Sequence, residues 1–526
     1  MMKCSLGRPH RRWLSALFGL LLTYPVSAQD YDAVLRGGLI VDGSGAPGFV
    51  GDVAIAEGLL RVADPGSIPV QGESIDIDVS GLVVAPGFID IHTHARADLV
   101  SPDSALMLNY LTQGVTSVMI GNDGDGATRV KSRFDRIFDH GAGTNVGQFV
   151  GHASLRRRVM DSTDRPATPD EVEAMKALLS QAMSEGALGL STGLFYAGGA
   201  FATTDEVVEL AKVAKAMGGI YESHIRAESS RGVGVHAAVD EVIEIAEASG
   251  VHAHIAHIKV LGKDVWGEAG SIVTKIDAAR ARGLAITADQ YPWVASSTRL
   301  KSAVISKELQ TGGMEGIRAR LASTAERDDM LSDMAMNIER RGGPNSLLLV
   351  ETEDPKWHGL RLDVIAERLQ VSAPEAAARL LEEGRARVVS FNMTEDDIET
   401  FMRQPWVATS SDGTQGHPRK YGSFPRKYAT YVRERGVLSL EQYVQASAGL
   451  PAEVLGLSDR GLIADGYKAD VLVFDPATFS EQADFEVWNR LSSGAIHVLV
   501  NGVFAIKDGD PLKARSGVAL TKISVP

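Results

Sequence analysis

The sequence predicts an α/β protein: a (β/α)8 barrel of the TIM type with a small β-sandwich domain that both ends of the chain form together. Between about residues 86 and 458, strand-like apolar segments alternate with helical ones, whereas residues 29–85 and 459–526 contain only short strands and turns. Alternation over this length is typical of parallel βαβ units, and eight of them close into a barrel. An open doubly wound sheet is the alternative fold.

Short strands at both ends of the chain predict the discontinuous β-sandwich. Strand patterns cover 32–39, 52–56, 59–63 and 74–79 near the start, and 470–474, 496–500 and 503–506 near the end. Such segments are too short to form a stable domain at either end alone. We therefore expect residues 29–85 and 459–526 to pair with each other.

Eight apolar segments supply the predicted barrel strands, namely 87–92, 115–121, 145–151, 187–192, 219–224, 251–257, 284–290 and 406–411. Helical patterns such as 169–184, 204–217 and 234–248 separate many of them. Two further strand-like runs, 347–351 and 388–392, bring the number of predicted strands above the eight that a barrel needs. We interpret residues 296–386 as an insertion after the seventh strand that forms a lid over the site.

The first 28 residues have the pattern of a secretory signal peptide. Four basic residues precede an apolar run over 13–22, and the small residues Val26-Ser-Ala28 follow it. The run is much shorter than the ~20 residues of a membrane-spanning helix. We expect cleavage near Ala28 and a periplasmic or secreted protein. Cys4, the single cysteine, lies in this segment, so the mature chain is predicted to form no disulfide.

The charge of the chain argues against nucleic acid as a partner. Its 53 Lys and Arg residues face 67 Asp and Glu residues, which gives a net charge of −14. An acidic surface repels nucleic acids and anionic membranes. No later segment resembles a membrane span. The expected partners are small molecules or small peptides, and the oligomeric state stays open.

Histidines and one aspartate stand at the ends of several predicted strands. His92 and His94 close the first barrel strand, and residues two apart on an extended strand point to the same side. His224, His257 and Asp412 end three further strands. The carboxyl ends of barrel strands form the active-site face. Nitrogen and oxygen donors gathered there predict a site for Zn²⁺ or a similar divalent ion.

Two other histidines lie on the strand of His257. His252 and His254 have the opposite parity to His257. On a regular strand they face the surrounding helices, away from the barrel axis.

Ordered motifs connect the chain to a known family. They are Pro86-Gly-Phe-Ile-Asp-Ile-His-Thr-His94, Glu185-Gly-Ala-Leu-Gly-Leu-Ser-Thr-Gly-Leu194, Tyr221-Glu-Ser-His-Ile-Arg226, His257-Ile-Lys259, Tyr291-Pro-Trp293, Ser411-Asp-Gly413 and His417-Pro-Arg-Lys-Tyr-Gly422. With them the chain resembles the D-aminoacylase (N-acyl-D-amino-acid deacylase) family of the amidohydrolase superfamily, from about residue 35 to 505. The resemblance implies a barrel with a small β-domain.

The resemblance also implies the metal ligands. His224 and His257 match the ligands of a tightly held zinc, and His92 and His94 match a second, weaker position. Much of the family has Asn-Cys-Gly where this chain has Asn122-Asp-Gly124. We interpret Asp123 as a harder ligand in place of the cysteine. The alternative is a simple turn residue.

Asp412 is the candidate catalytic residue, placed by the resemblance between metal and substrate. Its carboxylate would take a proton from the attacking water and return it to the departing amine. Arg419, in the loop after Asp412, can hold a substrate carboxylate with two parallel hydrogen bonds. Lys259, Tyr291 and Ser297 match family positions that contact the substrate carboxylate or acyl carbonyl.

The predicted activity is zinc-dependent hydrolysis of N-acyl-D-amino acids, which releases a carboxylate and a free D-amino acid. A metal-dependent dipeptidase or cyclic-amide hydrolase with the same site is the alternative enzyme. A catalytically silent binding protein on the same fold is the third hypothesis, and bound metal would argue against it. The preference for D-amino acids rests on the resemblance alone, and the sequence leaves the preferred side chain and acyl group open.

Overall fold

The computed structural model describes Met1 and residues 31–69 and 74–522. Apart from Met1, the predicted signal peptide lies outside the described residues. The strands of the described part are β1 Ala33–Ile40, β2 Phe49–Ala56, β3 Leu59–Ala63, β4 Ile75–Asp78, β5 Val83–Pro86, β6 Phe88–Asp90, β7 Val115–Ile120, β8 Asn145–Gly151, β9 Gly189–Gly193, β10 Ile220–His224, β11 His252–Ile255, β12 Ile286–Gln290, β13 Ala295–Arg299, β14 Leu347–Thr352, β15 Ala386–Phe391, β16 Val407–Thr409, β17 Val471–Phe474, β18 Ala495–Val500, β19 Val503–Lys507 and β20 Asp510–Pro511.

Helices follow most barrel strands. The α-helices are α1 Arg96–Leu99, α2 Leu108–Leu111, α3 Val130–Phe138, α4 His152–Val159, α5 Pro169–Ser184, α6 Ala197–Ala200, α7 Thr204–Ala216, α8 Val235–Ser249, α9 Ala269–Ala281, α10 Leu300–Val304, α11 Gly313–Ala322, α12 Arg327–Arg340, α13 Leu362–Leu369, α14 Ala373–Glu383, α15 Glu395–Met402, α16 Arg419–Arg426, α17 Leu440–Val444 and α18 Leu450–Leu455. Short 3-10 turns (Lys263–Val265, Lys307–Gln310, Pro344–Ser346, Pro355–Trp357) and π-helical segments (Lys427–Glu434, Gln445–Gly449) connect them. Within the described residues, none of these helices combines the length and the apolar character needed to cross a membrane.

Eight parallel strands form the barrel in the order β16-β12-β11-β10-β9-β8-β7-β6. Beyond the ends of β6 and β16, Thr93 and Gly413 form a parallel bridge. The backbone N–H of Asp412 also donates to the His92 carbonyl across 2.9 Å. These two contacts join the first strand to the last and close the barrel, so the predicted (β/α)8 fold is confirmed.

The interior of the barrel is apolar below the predicted site. One buried cluster includes Ile89, Met119, Phe149, Ile220 and Ala408, contributed by five different barrel strands. Their burial removes apolar surface from water and fills the lower part of the barrel. The polar side chains that remain inside the barrel therefore gather at the carboxyl ends of the strands.

Both ends of the chain share one sheet. Its nine strands run β20-β19-β18-β17-β5-β1-β2-β3, and β4 pairs with β1. The joint is the antiparallel pair of β5 and β17, in which Val471 lies opposite Pro86. Buried Leu35, Val53 and Leu499 pack in the core of this domain. Since β5 leads directly into β6, the sheet domain fixes the start of the barrel.

A separate unit is inserted between β12 and β16. Strands β13, β15 and β14 form a small antiparallel sheet, and α10 to α14 pack beside it around a core that includes Leu300, Ile317, Leu349 and Leu380. The two surplus strand-like runs of the sequence correspond to β14 and β15. We call residues 295–391 the inserted unit.

Candidate metal centre

The predicted metal ligands meet at the carboxyl ends of the barrel strands. His224 is the last residue of β10, and His92 and His257 follow β6 and β11 by two residues. Asp123 and Asp412 each follow their strand by three residues. In the described structure these residues, with His94 and Glu228, form overlapping groups whose ligand atoms lie within 4.8 Å of one another.

The first group consists of Asp123, His92, His224 and His257. One carboxylate oxygen of Asp123 lies at its centre. Asp123 Oδ1 is 3.5 Å from His224 Nδ1, 3.5 Å from His257 Nε2 and 3.6 Å from His92 Nε2. Ligands about 2.0–2.1 Å from a tetrahedral zinc ion are separated from each other by about 3.4 Å. Asp123 Oδ1 and His92 Nε2 are also buried and lack a hydrogen-bond partner in the described structure. The donor set therefore fits a divalent ion.

His94 and Asp412 form a second group beside the first. His94 Nε2 is 3.0 Å from Asp412 Oδ1 and 3.5 Å from Asp123 Oδ2, and His92 Nε2 is 3.8 Å from Asp412 Oδ1. The two oxygens of Asp123 thus face different groups. This arrangement suits a carboxylate that bridges two ions, and His94, with 35% of its side chain exposed, lies on the open side.

The ligand carboxylates are held in the charged form. Burial acts to raise the pKa of Asp123, but the imidazoles of His92, His224 and His257 outweigh it and hold the pKa well below its usual range. Burial likewise opposes ionisation of Asp412, and Arg419 is the main group that lowers its pKa. Both side chains therefore present negative charge to a cation.

Backbone strain is concentrated at the same residues. Asp123, His257 and Asp412 have φ values of 56°, 35° and 44°, and they are three of the eight described non-glycine residues with positive φ. Residues rarely adopt this conformation unless their surroundings impose it. Gly193 supplies part of those surroundings, because a Cβ at Gly193 would lie 2.3 Å from the Asp123 carbonyl oxygen.

Two buried carboxylates orient the histidines. Glu222 Oε1 lies 3.1 Å from His92 Nδ1. Asp289 Oδ1 accepts a hydrogen bond from the His257 backbone N–H at 3.0 Å. The Glu222 contact fixes the ring orientation of His92, as is usual for metal-binding histidines, and the Asp289 contact fixes the backbone at His257. The sequence shows Glu222 and Asp289 only as residues near the predicted site.

The prediction that His254 faces the helices is wrong. Its Nε2 lies 3.0 Å from Asp289 Oδ2, inside the barrel beneath the candidate ligands. His252 shares the Thr287 hydroxyl with it. The parity argument fails because β11 ends at Ile255, and the positive φ of His257 then breaks the strand alternation between His254 and His257.

Glu228 is the residue that sequence reasoning missed. Its Oε1 lies 2.5 Å from Lys259 Nζ and 3.1 Å from His257 Nδ1. Lys259 Nζ is in turn 2.6 Å from His257 Nδ1. The only indication in the sequence was that an acidic residue stands four positions after His224. That spacing does not predict a contact with Lys259, because the contact depends on how the loop after β10 folds over the site.

A cavity of about 490 Å³ opens over both groups. Lys259, Tyr291 and Ser297, three of the predicted substrate-binding residues, line it. Tyr291 Oη and Ser297 Oγ are buried and have no hydrogen-bond partner in the described structure. Both hydroxyls are therefore available to a ligand in the cavity.

Arg419 lies behind Asp412. Its Nη1 is 2.9 Å from Asp412 Oδ2, and its guanidinium stacks 4.5 Å from the centre of the Tyr291 ring. The side chain is fully buried, and Thr414 and Lys420 form the adjacent cavity wall. The structure thus joins Arg419 to the Asp412 carboxylate, and its predicted contact with a substrate carboxylate stays a prediction.

Comparisons with known proteins identify the family of the chain. The model of the amidohydrolase family matches residues 77–506. The D-aminoacylase of Alcaligenes xylosoxydans xylosoxydans is 33% identical over 502 residues, which cover 90% of this chain and 94% of that protein.

Two solved structures superpose on nearly the whole chain. One is the N-acyl-D-glutamate deacylase of Bordetella bronchiseptica, complexed with zinc and a phosphonate inhibitor that mimics the tetrahedral intermediate (31% identity, TM-score 0.80). The other is a D-aminoacylase with a binuclear metal centre (30% identity, TM-score 0.79). In each case the match covers 94% of this chain and 100% of the other.

Proposed function

This chain belongs to the amidohydrolase family, and we propose that it is a zinc-dependent deacylase that hydrolyses N-acyl-D-amino acids to a carboxylate and a free D-amino acid. One observation carries the proposal. Asp412 lies beside the candidate ligands His92 and His94, and it lines the cavity that opens over the site. A scissile amide held there would have metal ligands on one side and a charged carboxylate beside it. The named relatives, a D-aminoacylase and an N-acyl-D-glutamate deacylase, support the substrate class.

We propose that His224, His257 and Asp123 hold the tighter ion, and that His92, His94 and Asp412 contribute to a second, weaker position. The distances from Asp123 Oδ1 and Oδ2 to the imidazoles support this division. Zinc bound there would polarise the scissile carbonyl and lower the pKa of the attacking water toward neutrality. Asp123 in place of a cysteine makes the donor set harder, which favours a higher occupancy of the second position.

Asp412 is the proposed proton carrier. Its Oδ1 faces the ligands, whereas its Oδ2 is fixed 2.9 Å from Arg419 Nη1. With Oδ2 held by Arg419, Oδ1 is the oxygen that would take the proton of the attacking water and return it to the amide nitrogen as that bond breaks. Arg419 keeps the carboxylate oriented and charged before the reaction.

Groups on the cavity wall are proposed to hold the substrate. The free hydroxyls of Tyr291 and Ser297 suit the acyl carbonyl or the α-carboxylate. Lys259 adds a positive charge, although Glu228 partly satisfies it. Fixing the amide relative to Asp412 lowers the entropic part of the barrel enzyme's activation free energy.

The activity assay that tests the proposal uses the zinc-loaded full chain with matched substrates. The panel contains N-acetyl-D-amino acids, their L-enantiomers, dipeptides and cyclic amides. Hydrolysis of the D-substrates, with little turnover of the others, is the expected result. Exclusive turnover of dipeptides or cyclic amides would overturn the proposal in favour of those activities.

Export is a further part of the proposal, and it is supported by the N-terminal sequence. We propose cleavage near Ala28 and a periplasmic or secreted enzyme. N-terminal sequencing of the protein recovered from a bacterial host is the test. A mature chain that begins at Gln29 is expected, and a chain that still begins at Met1 would contradict it.

A further inference from the structure

Four basic residues line the same cavity as the candidate metal ligands. Arg231 lies in the loop after β10, and Arg299, Lys301 and Arg341 belong to the inserted unit. All four line the cavity. We call these four residues the basic wall.

In the described structure, no carboxylate forms a close ion pair with the basic wall. Among the described residues, no Asp or Glu oxygen lies within the 4.0 Å ion-pair distance of any of the four side chains, whereas the neighbouring cavity residue Arg157 is paired with Asp125 at 2.7 Å. The other acids that line the cavity are Asp123, Glu228 and Asp412, which are committed to the metal centre and Lys259. A chain with a net charge of −14 thus concentrates unpaired cations at one place.

Burial of these unpaired cations destabilises the folded protein. Burial, aided by Arg231, lowers the pKa of Arg341 to about 10, and burial also lowers the pKa values of Arg231 and Lys301. A partly desolvated cation without a counter-charge destabilises the folded protein. An anion bound between these groups would remove that penalty through charge-assisted hydrogen bonds.

We propose that Arg231, Lys301 and Arg341 form a subsite for a second anionic group, so that the substrates are N-acyl-D-amino acids with a second carboxylate. The inference rests on the proposed function and extends it to the part of the substrate that lies away from the scissile amide. The second carboxylate can belong to the amino-acid side chain or to the acyl group, and both present the same chemistry to the basic wall.

Matched substrate pairs distinguish the two sources. N-acetyl-D-glutamate is compared with its neutral isostere N-acetyl-D-glutamine, and N-succinyl-D-leucine with N-butanoyl-D-leucine. In at least one pair, kcat/KM for the dicarboxylic substrate is expected to exceed that for the neutral one by about 10- to 100-fold, as for a hydrogen-bonded charge pair. The pair that shows the preference identifies the position of the second carboxylate.

Three variants locate the subsite. Arg231→Met and Lys301→Met are expected to reduce the preference about tenfold, because each removes one charge that faces the cavity. Arg341→Met should do the same, but Arg341 Nε also donates to the Ala303 carbonyl at 2.9 Å, so the other two variants keep the test independent of folding. Arg368→Met, at an exposed position on α13 in the same inserted unit, is the matched control and should keep the full preference.

The outcomes separate this inference from the proposed function. Equal or faster hydrolysis of the neutral member of both pairs would overturn the subsite and leave the deacylase activity intact. An unchanged preference in both Arg231→Met and Lys301→Met would also overturn it. If no N-acyl-D-amino acid is hydrolysed, the proposed function fails, and calorimetric titration with D-glutamate and D-glutamine still tests the subsite: equal affinities would refute it.

Discussion

Asp123 Oδ1 lies 3.5 Å from His257 Nε2 although both residues have positive φ values and come from loops after different strands. The same oxygen faces His224 and His92. The position that replaces a family cysteine is therefore at the centre of the site, and its chemistry determines which ion the site prefers.

We expect Asp123→Ala to lower the affinity for the tighter zinc by at least about tenfold, because it removes a ligand from a closed donor set. Asp123→Cys should keep one zinc per chain and lose the second ion. Metal analysis after dialysis measures both. Equal metal contents in the three proteins would show that Asp123 is only a turn residue.

Asp412→Asn should keep the tighter zinc and lose activity by about 10²- to 10⁴-fold, since the amide cannot accept the water proton. The measurements are kcat on the best N-acyl-D-amino acid and the zinc content of the same sample. Turnover close to that of the wild type would remove Asp412 from the proton-transfer role.

Gly193→Ala should weaken metal binding without touching a ligand, because the new Cβ would lie 2.3 Å from the Asp123 carbonyl oxygen and displace that loop. Gly270→Ala in α9 is the matched control, since its Cβ would meet no atom within 4 Å. The control should keep its zinc and gain up to about 1 kcal/mol from helix propensity. If Gly193→Ala binds zinc as tightly as the control, the packing argument fails.

We expect Glu206 to make a pH-dependent contribution to the stability of the fold. Burial opposes its ionisation, but His152 and Arg156 outweigh it and lower the pKa of Glu206 to about 2. A lowered carboxyl pKa stabilises the fold above the unfolded value of about 4.5, and this contribution is lost as the pH falls toward 2. Glu206→Gln should cost about 3–5 kcal/mol at pH 7 because it leaves Arg156 buried and unpaired.

The loss in that variant should be smaller at pH 3 by about 2 kcal/mol. Urea unfolding at the two pH values measures it. Glu173→Gln is the control, because the Glu173 carboxylate is 70% exposed beside Lys176 and such pairs contribute at most about 1 kcal/mol. A Glu206→Gln loss that is the same at both pH values would contradict the assignment of the shift.

The sequence predicts those parts of the site that depend on regular strands. His92, His94, His224 and Asp412 follow apolar strands, so their meeting at one end of the barrel follows from the parallel topology. The predicted orientation of His254 was wrong because the alternation of side chains along β11 does not continue to His257, where the backbone turns. Glu228 escaped notice because a loop, whose path no periodicity describes, brings it to Lys259.

The inserted unit shows the same limit. Two of its three strands, β14 and β15, were predicted as strand-like runs, and they exceed the barrel count because they form a sheet of their own with β13. The pairing of Arg419 with Asp412, in contrast, depends on side-chain rotamers that adjacent sequence does not determine. The unpaired charges of the basic wall likewise emerge only when the loop of Arg231 and the inserted unit face one cavity.

The contact that closes the barrel also affects how the chain acquires activity. Residues next to the candidate ligands, Ser411 and Asp90, pair through a hydrogen bond across 321 positions of sequence, beside the bond from Asp412 to His92. Contacts so distant along the chain form late in folding, because a large loop-closure entropy must first be overcome. A ribosome-bound or truncated chain that lacks the last barrel strand would hold most of the histidines but no completed site, so catalytic competence reports on the end of folding.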